Sequence, residues 1–191
     1  MEELIKKIKK ISKLSGEAEA YLRSISKIKE IKKGEVLVRE GEAVRSTYFV
    51  LSGCLRSYCI DKNGKEHTLQ FAIKDWWMSD FIAMYGNEPA TLTIECVTTC
   101  SLVVFSIEKL QGIFEMFPEF EPFQRTILQG NVVSLNKRIL NQLQLTASER
   151  YSLFLQQYPD IEKNISNYHI ASYLGVTQQS LSRIRAERVK K

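Results

Sequence analysis

The chain is poor in the residues that build metal centres and covalent scaffolds. Its 191 residues include four Cys and two His. Cys54, Cys59, Cys96 and Cys100 form no C-x-x-C pair, and His67 and His169 lie outside both pairs, so zinc-site spacing is absent. The four thiols read as small apolar residues in strand-like sequence, reduced in a cytoplasmic chain, with no metal and no cofactor. Four Pro and nine Gly exclude collagen-like and low-complexity classes. No run approaches the roughly 18 apolar residues of a membrane span. The opening MEELIKKIKKISKLSG has no apolar signal core and no small-residue cleavage site. The expectation is a cytoplasmic protein with no membrane partner. G-x-S-x-G, H-E-x-x-H and P-loop motifs are missing as well. His67 alone cannot supply the converging ligands of a metal enzyme on a jelly roll. The chain is therefore expected not to be an enzyme.

What is present is a globular composition: 44% hydrophobic and 26% charged residues. The length suits one large domain or two small ones with a core that needs no disulfides. The net charge of +5 is unevenly spread. Residues 1–33 carry ten Lys/Arg and five Glu, residues 34–162 eleven Lys/Arg and sixteen Asp/Glu, and residues 163–191 six Lys/Arg and one Glu. A basic C-terminal tip on an acidic body points to a polyanion contact, although a solvated tail has the same composition.

Periodicity divides the chain. Leu4, Ile5, Ile8, Ile11 and Leu14 recur at helical spacing, with Gly16 as the expected stop and a short helix around residues 18–25. From Lys29 to about Phe105 the pattern is β: 31–38 as strand, turn, strand, then 48–51, 55–60, 67–73, 92–97 and 101–106. Asn63-Gly64 is a hairpin signal because both residues tolerate positive φ. Many short strands argue a closed sandwich or barrel. Residues 107–117 then read as a short helix ended by Pro118, and 121–145 as a long one. Leu128, Val132, Leu135 and Ile139 make an a/d seam of about two heptads. Val133, Leu140 and Leu143 make a second stripe beside it. One stripe is expected to face the β-roll and the other a second copy of the chain. Gly130 costs ~1 kcal/mol inside a helix, which suits a place where something packs close. Thr146-Ala147-Ser148-Glu149 is a capping box that opens a helix to about Tyr158, stopped by Pro159-Asp160.

The last 25 residues are the most informative. Ser166 caps a helix over 168–174, Gly175-Val176-Thr177 breaks it, and Thr177 caps a second helix to about Arg188. Ala171 is small where two helices cross, Gly175 suits a left-handed turn, and Val176, Leu181 and Ile184 plug the gap. That is a helix-turn-helix, whose second helix enters the DNA major groove. Its outer face carries Gln178, Gln179, Ser182, Arg183 and Arg185. Gln pairs bidentately with adenine and Arg with guanine. Thr177, Ser180 and the helix N-terminus suit phosphates, and Arg188, Lys190 and Lys191 add charge. The bland alternative is an ordinary helical hairpin.

The order of parts resembles the Crp/Fnr superfamily of bacterial transcription regulators over almost the whole chain. The most specific stretches are Lys33-Gly34-Glu35 with Glu40-Gly41-Glu42, Tyr48-Phe49-Val50-Leu51-Ser52-Gly53, and His169 to Thr177 followed by Ser180-Leu181-Ser182-Arg183-Ile184. The resemblance implies an α+β fold: an N-terminal antiparallel β-roll (jelly roll) with flanking helices over 1–118, a long dimerisation helix and hinge over 119–145, and a helix-turn-helix over 146–191. It implies a homodimer on palindromic double-stranded DNA, with Gln178, Gln179 and Arg183 at the three base-reading positions. The two Gln imply a half-site other than that read by the family's common Arg-Glu-Arg triplet. RNA polymerase is a further partner that the resemblance admits.

The family's β-roll often binds a cyclic nucleotide, with a Glu on the ribose and an Arg on the phosphate. Here Asp80 stands at the Glu position, and the Arg position falls on Pro89 or Ala90. Cyclic AMP is therefore not the expected effector. Trp77, Asp80, Phe81 and Thr91 remain candidate contacts for an unidentified small molecule. The N-terminal cysteine cluster of iron–sulfur members is missing, and His67 reads as a surface residue rather than a haem ligand. The alternative function is a ligand-binding β-roll whose helical tip binds a protein.

Overall fold

The computed structural model describes residues 1–159 and 161–189. Asp160, Lys190 and Lys191, expected to stop a helix and to add charge, lie outside them.

Two helices open the chain. The first, α1 (Glu2–Lys9), buries Leu4, Ile5 and Ile8 and ends earlier than its apolar spacing suggests, leaving Ile11 exposed. Gly16 does not stop it; it starts α2 (Gly16–Ser24). The reason lies one residue earlier, where the Ser15 hydroxyl accepts the Ala18 N–H at 3.1 Å and caps the new helix.

Eight strands follow among the described residues. They are β1 (Ser26–Ile31), β2 (Val36–Val38), β3 (Ser46–Ser52), β4 (Leu55–Ile60), β5 (Glu66–Ala72), β6 (Trp77–Met78), β7 (Thr93–Cys96) and β8 (Cys100–Ser106). They form two antiparallel four-stranded sheets, ordered β1-β8-β3-β6 and β2-β7-β4-β5. A short α3 (Phe81–Gly86) separates β6 from β7. Neither β6 nor α3 was expected, since two residues hold no alternation and six hold barely one turn and a half of helix.

The chain changes sheet where the strands meet glycine. At Gly53, between β3 and β4, φ is +86° and an added Cβ would lie 2.3 Å from the Thr99 carbonyl oxygen. Backbone conformation and space both demand glycine there. Cys54 sits in this turn rather than in a strand, and it, Cys96 and Cys100 are buried and unbridged. Burial pushes the Cys54 thiol pKa up. The Asn63-Gly64 hairpin forms as expected, with Ile60 opposite Glu66 and Asp61 closing the turn on Lys65. His67 at its edge hydrogen-bonds Asp61 at 2.8 Å, which lowers the Asp61 pKa.

Val50, Leu55, Met78, Ile94 and Leu102 fill the space between the sheets. The outer face of the first sheet packs Phe49, Val103 and Phe105 against α1, α2, α4 (Ile107–Met116) and the base of α5 (Glu121–Gln144). A 3₁₀ turn (Pro118–Phe120) joins α4 to α5. Beyond Leu128 the apolar side chains of α5 turn away from the roll, which the helix meets again through Arg138. Val132, Val133, Leu135, Ile139, Leu140 and Leu143 are all exposed, Leu143 by 78%. The expectation that one stripe would cover the roll is thus corrected: within one chain both stripes face outward. Gly130 likewise meets nothing within 4 Å of an added Cβ.

The C-terminal helices are α6 (Ala147–Gln157), α7 (Asn167–Leu174) and α8 (Gln178–Val189). The Thr146 box is complete, the Thr146 hydroxyl accepting from Glu149 N–H and Glu149 accepting from Thr146 N–H at 2.8 Å. These helices share a core with the roll. Phe71 of β5 lies 5.8 Å from the Tyr158 ring and 5.4 Å from that of Tyr173, and Trp76 packs on Tyr158.

Candidate nucleic-acid interface and sensor corner

The C-terminal site is built from its caps. The Ser166 hydroxyl accepts the His169 N–H and starts α7. Gly175 stops it at φ +69°, and the Gly175 and Val176 amides return to the Ser172 and Ala171 carbonyls. Thr177 Oγ1 then accepts the Ser180 N–H at 3.1 Å and starts α8. Ala171, Leu174, Leu181 and Ile184 are buried together with Tyr151 and Phe154. One face of α8 is thereby fixed and the other held out.

The outer face presents Gln178, Gln179, Ser182 and Arg183, all exposed and without a side-chain partner among the described residues. Thr177 is exposed and Ser180 half-buried in the cap. Arg185 is placed differently from its expected outward position. It is half-buried, its Nε donates to the Tyr151 hydroxyl at 3.0 Å and pairs with Glu162 at 2.9 Å, and it contacts Asn167. Tyr151 also contacts Glu162, and burial, followed by that contact, raises its pKa. Arg185 thus fastens α8 to α6 and α7. Helical spacing puts it near Gln178 and Ser182, and only the long reach to Glu162 turns it inward.

Two further cations, both missed by sequence reasoning, lie where these helices meet the roll. Arg138 of α5 donates from Nη2 to the Thr68 and Tyr173 carbonyls at 2.8 and 3.3 Å, with its guanidinium 4.4 Å above the Tyr173 ring. Desolvation lowers its pKa. The available signal was a lone Arg beside Ile139 in the apolar seam. Ser172 of α7 docks on β5, accepting the Thr68 N–H and donating to the Glu66 carbonyl, each at 2.8 Å. Beneath it Arg56 is 1% exposed, paired with Glu66 and Glu95 at 2.7 Å each and lying over Tyr58. His169, against this cluster, has its pKa lowered to about 4, by burial first and then by Arg56.

The candidate effector residues separate into two places. Asp80 is fully buried and its carboxylate is saturated. Oδ1 accepts the Ala83 N–H at 3.1 Å and caps α3. Oδ2 accepts the Thr91 N–H at 2.6 Å, the Thr91 hydroxyl at 2.9 Å and the Leu92 N–H at 2.9 Å. Asp80 and Thr91 therefore satisfy each other. Ala90, at the position where a cation would be needed, is buried and neutral. This corner does not fit a cyclic phosphate: its donors are engaged by an internal anion, and a buried phosphate there would meet no positive charge. Trp77 and Phe81 instead line a separate apolar cavity on the helical side. Among the described residues no group of three or more His, Cys, Asp or Glu is placed to hold a metal. No described helix is long and apolar enough to cross a membrane.

Comparison with known proteins agrees with this architecture. The family model "Cyclic nucleotide-binding domain" matches residues 28–117, from β1 through α4. The transcriptional activator protein FnrA of Stutzerimonas stutzeri is 24% identical over 167 residues, covering 81% of this chain and 67% of its own length. The chain thus spans about two thirds of that relative. A solved structure from Eubacterium rectale, named for the crp/fnr family, superposes with a TM-score of 0.73 at 19% identity, covering 93% of this chain and 85% of the other. The c-di-GMP-responsive global regulator CLP of Xanthomonas campestris gives 0.72 at 14% identity, covering 92% of each chain. Family match, sequence relatives and fold agree: residues 28–117 match the cyclic nucleotide-binding domain, and the chain is similar over most of its length to Fnr-type transcriptional activators.

Proposed function

We propose that the chain is a dimeric, sequence-specific DNA-binding transcription regulator of the Crp/Fnr type. Its parts are a sensor β-roll over 1–118, a dimerisation helix and hinge over 119–145, and a DNA-binding unit over 146–191. The observation that carries this reading is the divided α8, with Leu181 and Ile184 locked inward and Gln178, Gln179, Ser182 and Arg183 held outward unpaired. Polar side chains projecting from the N-terminal half of a helix-turn-helix second helix are positioned for base edges. The apolar stripes of α5, with half-buried Leu128 at their base and exposed Val132, Leu135 and Ile139 beyond it, are the surface on which two chains join. Dimerisation would set two α8 helices about one DNA turn, ~34 Å, apart. The saturated Asp80 corner supports an effector other than cyclic AMP.

Selection from random duplexes with the purified chain tests this. The expected result is enrichment of a palindrome with half-sites one turn apart, bound with an affinity that falls steeply with salt. Recovery of no palindrome, with salt-insensitive binding, would overturn the reading and favour a protein partner for the helical tip.

A further inference from the structure

The cavity that takes Trp77 and Phe81 lies on the helical side of the roll, apart from the Asp80 corner. Its volume is about 100 Å³. Besides those two residues its walls include Met84 of α3, Ile113 of α4 and Phe123 and Leu128 of α5. The lining contains no Asp, Glu, Lys, Arg or His. A charged ligand would therefore be buried without a counter-charge. Tyr85, 52% exposed, and the exposed Gln111 form its mouth to solvent.

One polar group in these walls is unsatisfied. The Trp77 indole N–H is buried and finds no acceptor among the described residues. The ring is held in place by Phe49 and Phe105, at centroid distances of 5.3 and 5.4 Å. The Thr47 hydroxyl, also in the lining, donates to the Met78 carbonyl at 3.3 Å. Its walls are mostly aliphatic and aromatic, and dry apolar cavities of roughly 150 Å³ accept benzene-sized molecules. An unmade buried hydrogen bond is costly, and a ligand that supplies the acceptor relieves it.

We propose that this cavity is a binding site for a small, uncharged, mostly apolar molecule bearing one hydrogen-bond acceptor, the acceptor being taken by Trp77 Nε1. Phe123 and Leu128 place the base of α5 in its wall, so occupancy changes the packing of the helix that carries the exposed apolar stripes.

Acetophenone and ethylbenzene differ chiefly in the carbonyl, and titrating each into the full-length protein without DNA tests the site. Calorimetry should show saturable binding of both, with acetophenone tighter by about tenfold. Trp77→Phe should erase that preference while leaving ethylbenzene within about twofold. Met84→Trp should abolish binding of both by filling the space. Equal affinities in the wild type, no saturation of either probe, or unchanged binding in a folded Met84→Trp protein would overturn the proposal. The wild-type pair decides the matter even if a variant misfolds, and the DNA-binding reading stands whatever the titration gives.

Discussion

The Asp80 corner and the face of α8 are both places where this fold arranges polar groups at the start of a helix, yet they differ in what is left over. At Asp80 four donors converge on one carboxylate and nothing remains for a ligand. On α8 the cap is complete at Thr177, while Gln178, Gln179, Ser182 and Arg183 keep their hydrogen-bonding capacity. Residue types alone do not separate the two, since an Asp near a Thr and a Gln near an Arg are equally good candidates. The accounting of donors and acceptors does: a saturated buried group holds the fold, and an exposed unpaired one is left open to water or a ligand.

The largest expected effect breaks a saturated group. Arg56→Ala leaves Glu66 and Glu95 without their cation and should cost about 3–5 kcal/mol in urea unfolding. A loss below about 1 kcal/mol would mean that the pairs with Glu66 and Glu95 do not hold the fold. Asp80→Ala strands the Ala83, Thr91 and Leu92 amides and should cost about 2–4 kcal/mol, with no gain in cyclic AMP binding.

Arg183→Ala is the opposite case. It should weaken binding to the selected duplex by about 1–3 kcal/mol and leave the unfolding free energy within about 0.5 kcal/mol. A matching drop in stability would mean that α8 is not open at that position. Arg185→Ala separates the inward cation from the outward one: its first effect should be on stability, through the lost contacts to Tyr151 and Glu162.

A pH-dependent effect concerns the contact between the two regions. His169 has a pKa of about 4 in the folded chain against 6.5 for the unperturbed group. The unfolded chain therefore binds the proton more readily, and stability falls as pH drops from about 6.5 towards 4. Burial is the main cause, then the nearby Arg56, with Glu66 opposing and Lys33 adding. His169→Gln should flatten the urea midpoint across that window relative to the wild type. Parallel pH profiles would remove His169 from the docked interface.

Local signals were the legible ones. The Asn63-Gly64 turn, the Thr146–Glu149 box, the Ala171–Gly175 spacing and the Thr177 cap each need only a few neighbouring residues, and each stands where the sequence places it. Non-local arrangements were not legible. The crossing from one sheet to the other between β3 and β4 is packed tightly at Gly53, where Thr99 and Cys100 come from 46 or more residues away. The two stripes of α5 look amphipathic in sequence, and only the folded chain shows that from Val132 on both are left exposed while Arg138 reaches back to the roll. The partners of Asp80, eleven and twelve residues on, and the reach of Arg185 to Glu162 needed the folded backbone. Of the candidate site, the outward residues of α8 were readable because helical periodicity fixes a face. The effector residues were not, because nothing in the spacing shows that Asp80 and Thr91 satisfy each other.

The most direct test of the central claim is native mass spectrometry of the chain mixed with its selected duplex. The account predicts two chains on one duplex, with Leu135→Lys and Ile139→Lys together reducing the complex to free monomer and bare DNA. One chain per duplex, or a double variant that binds as the wild type does, would contradict it.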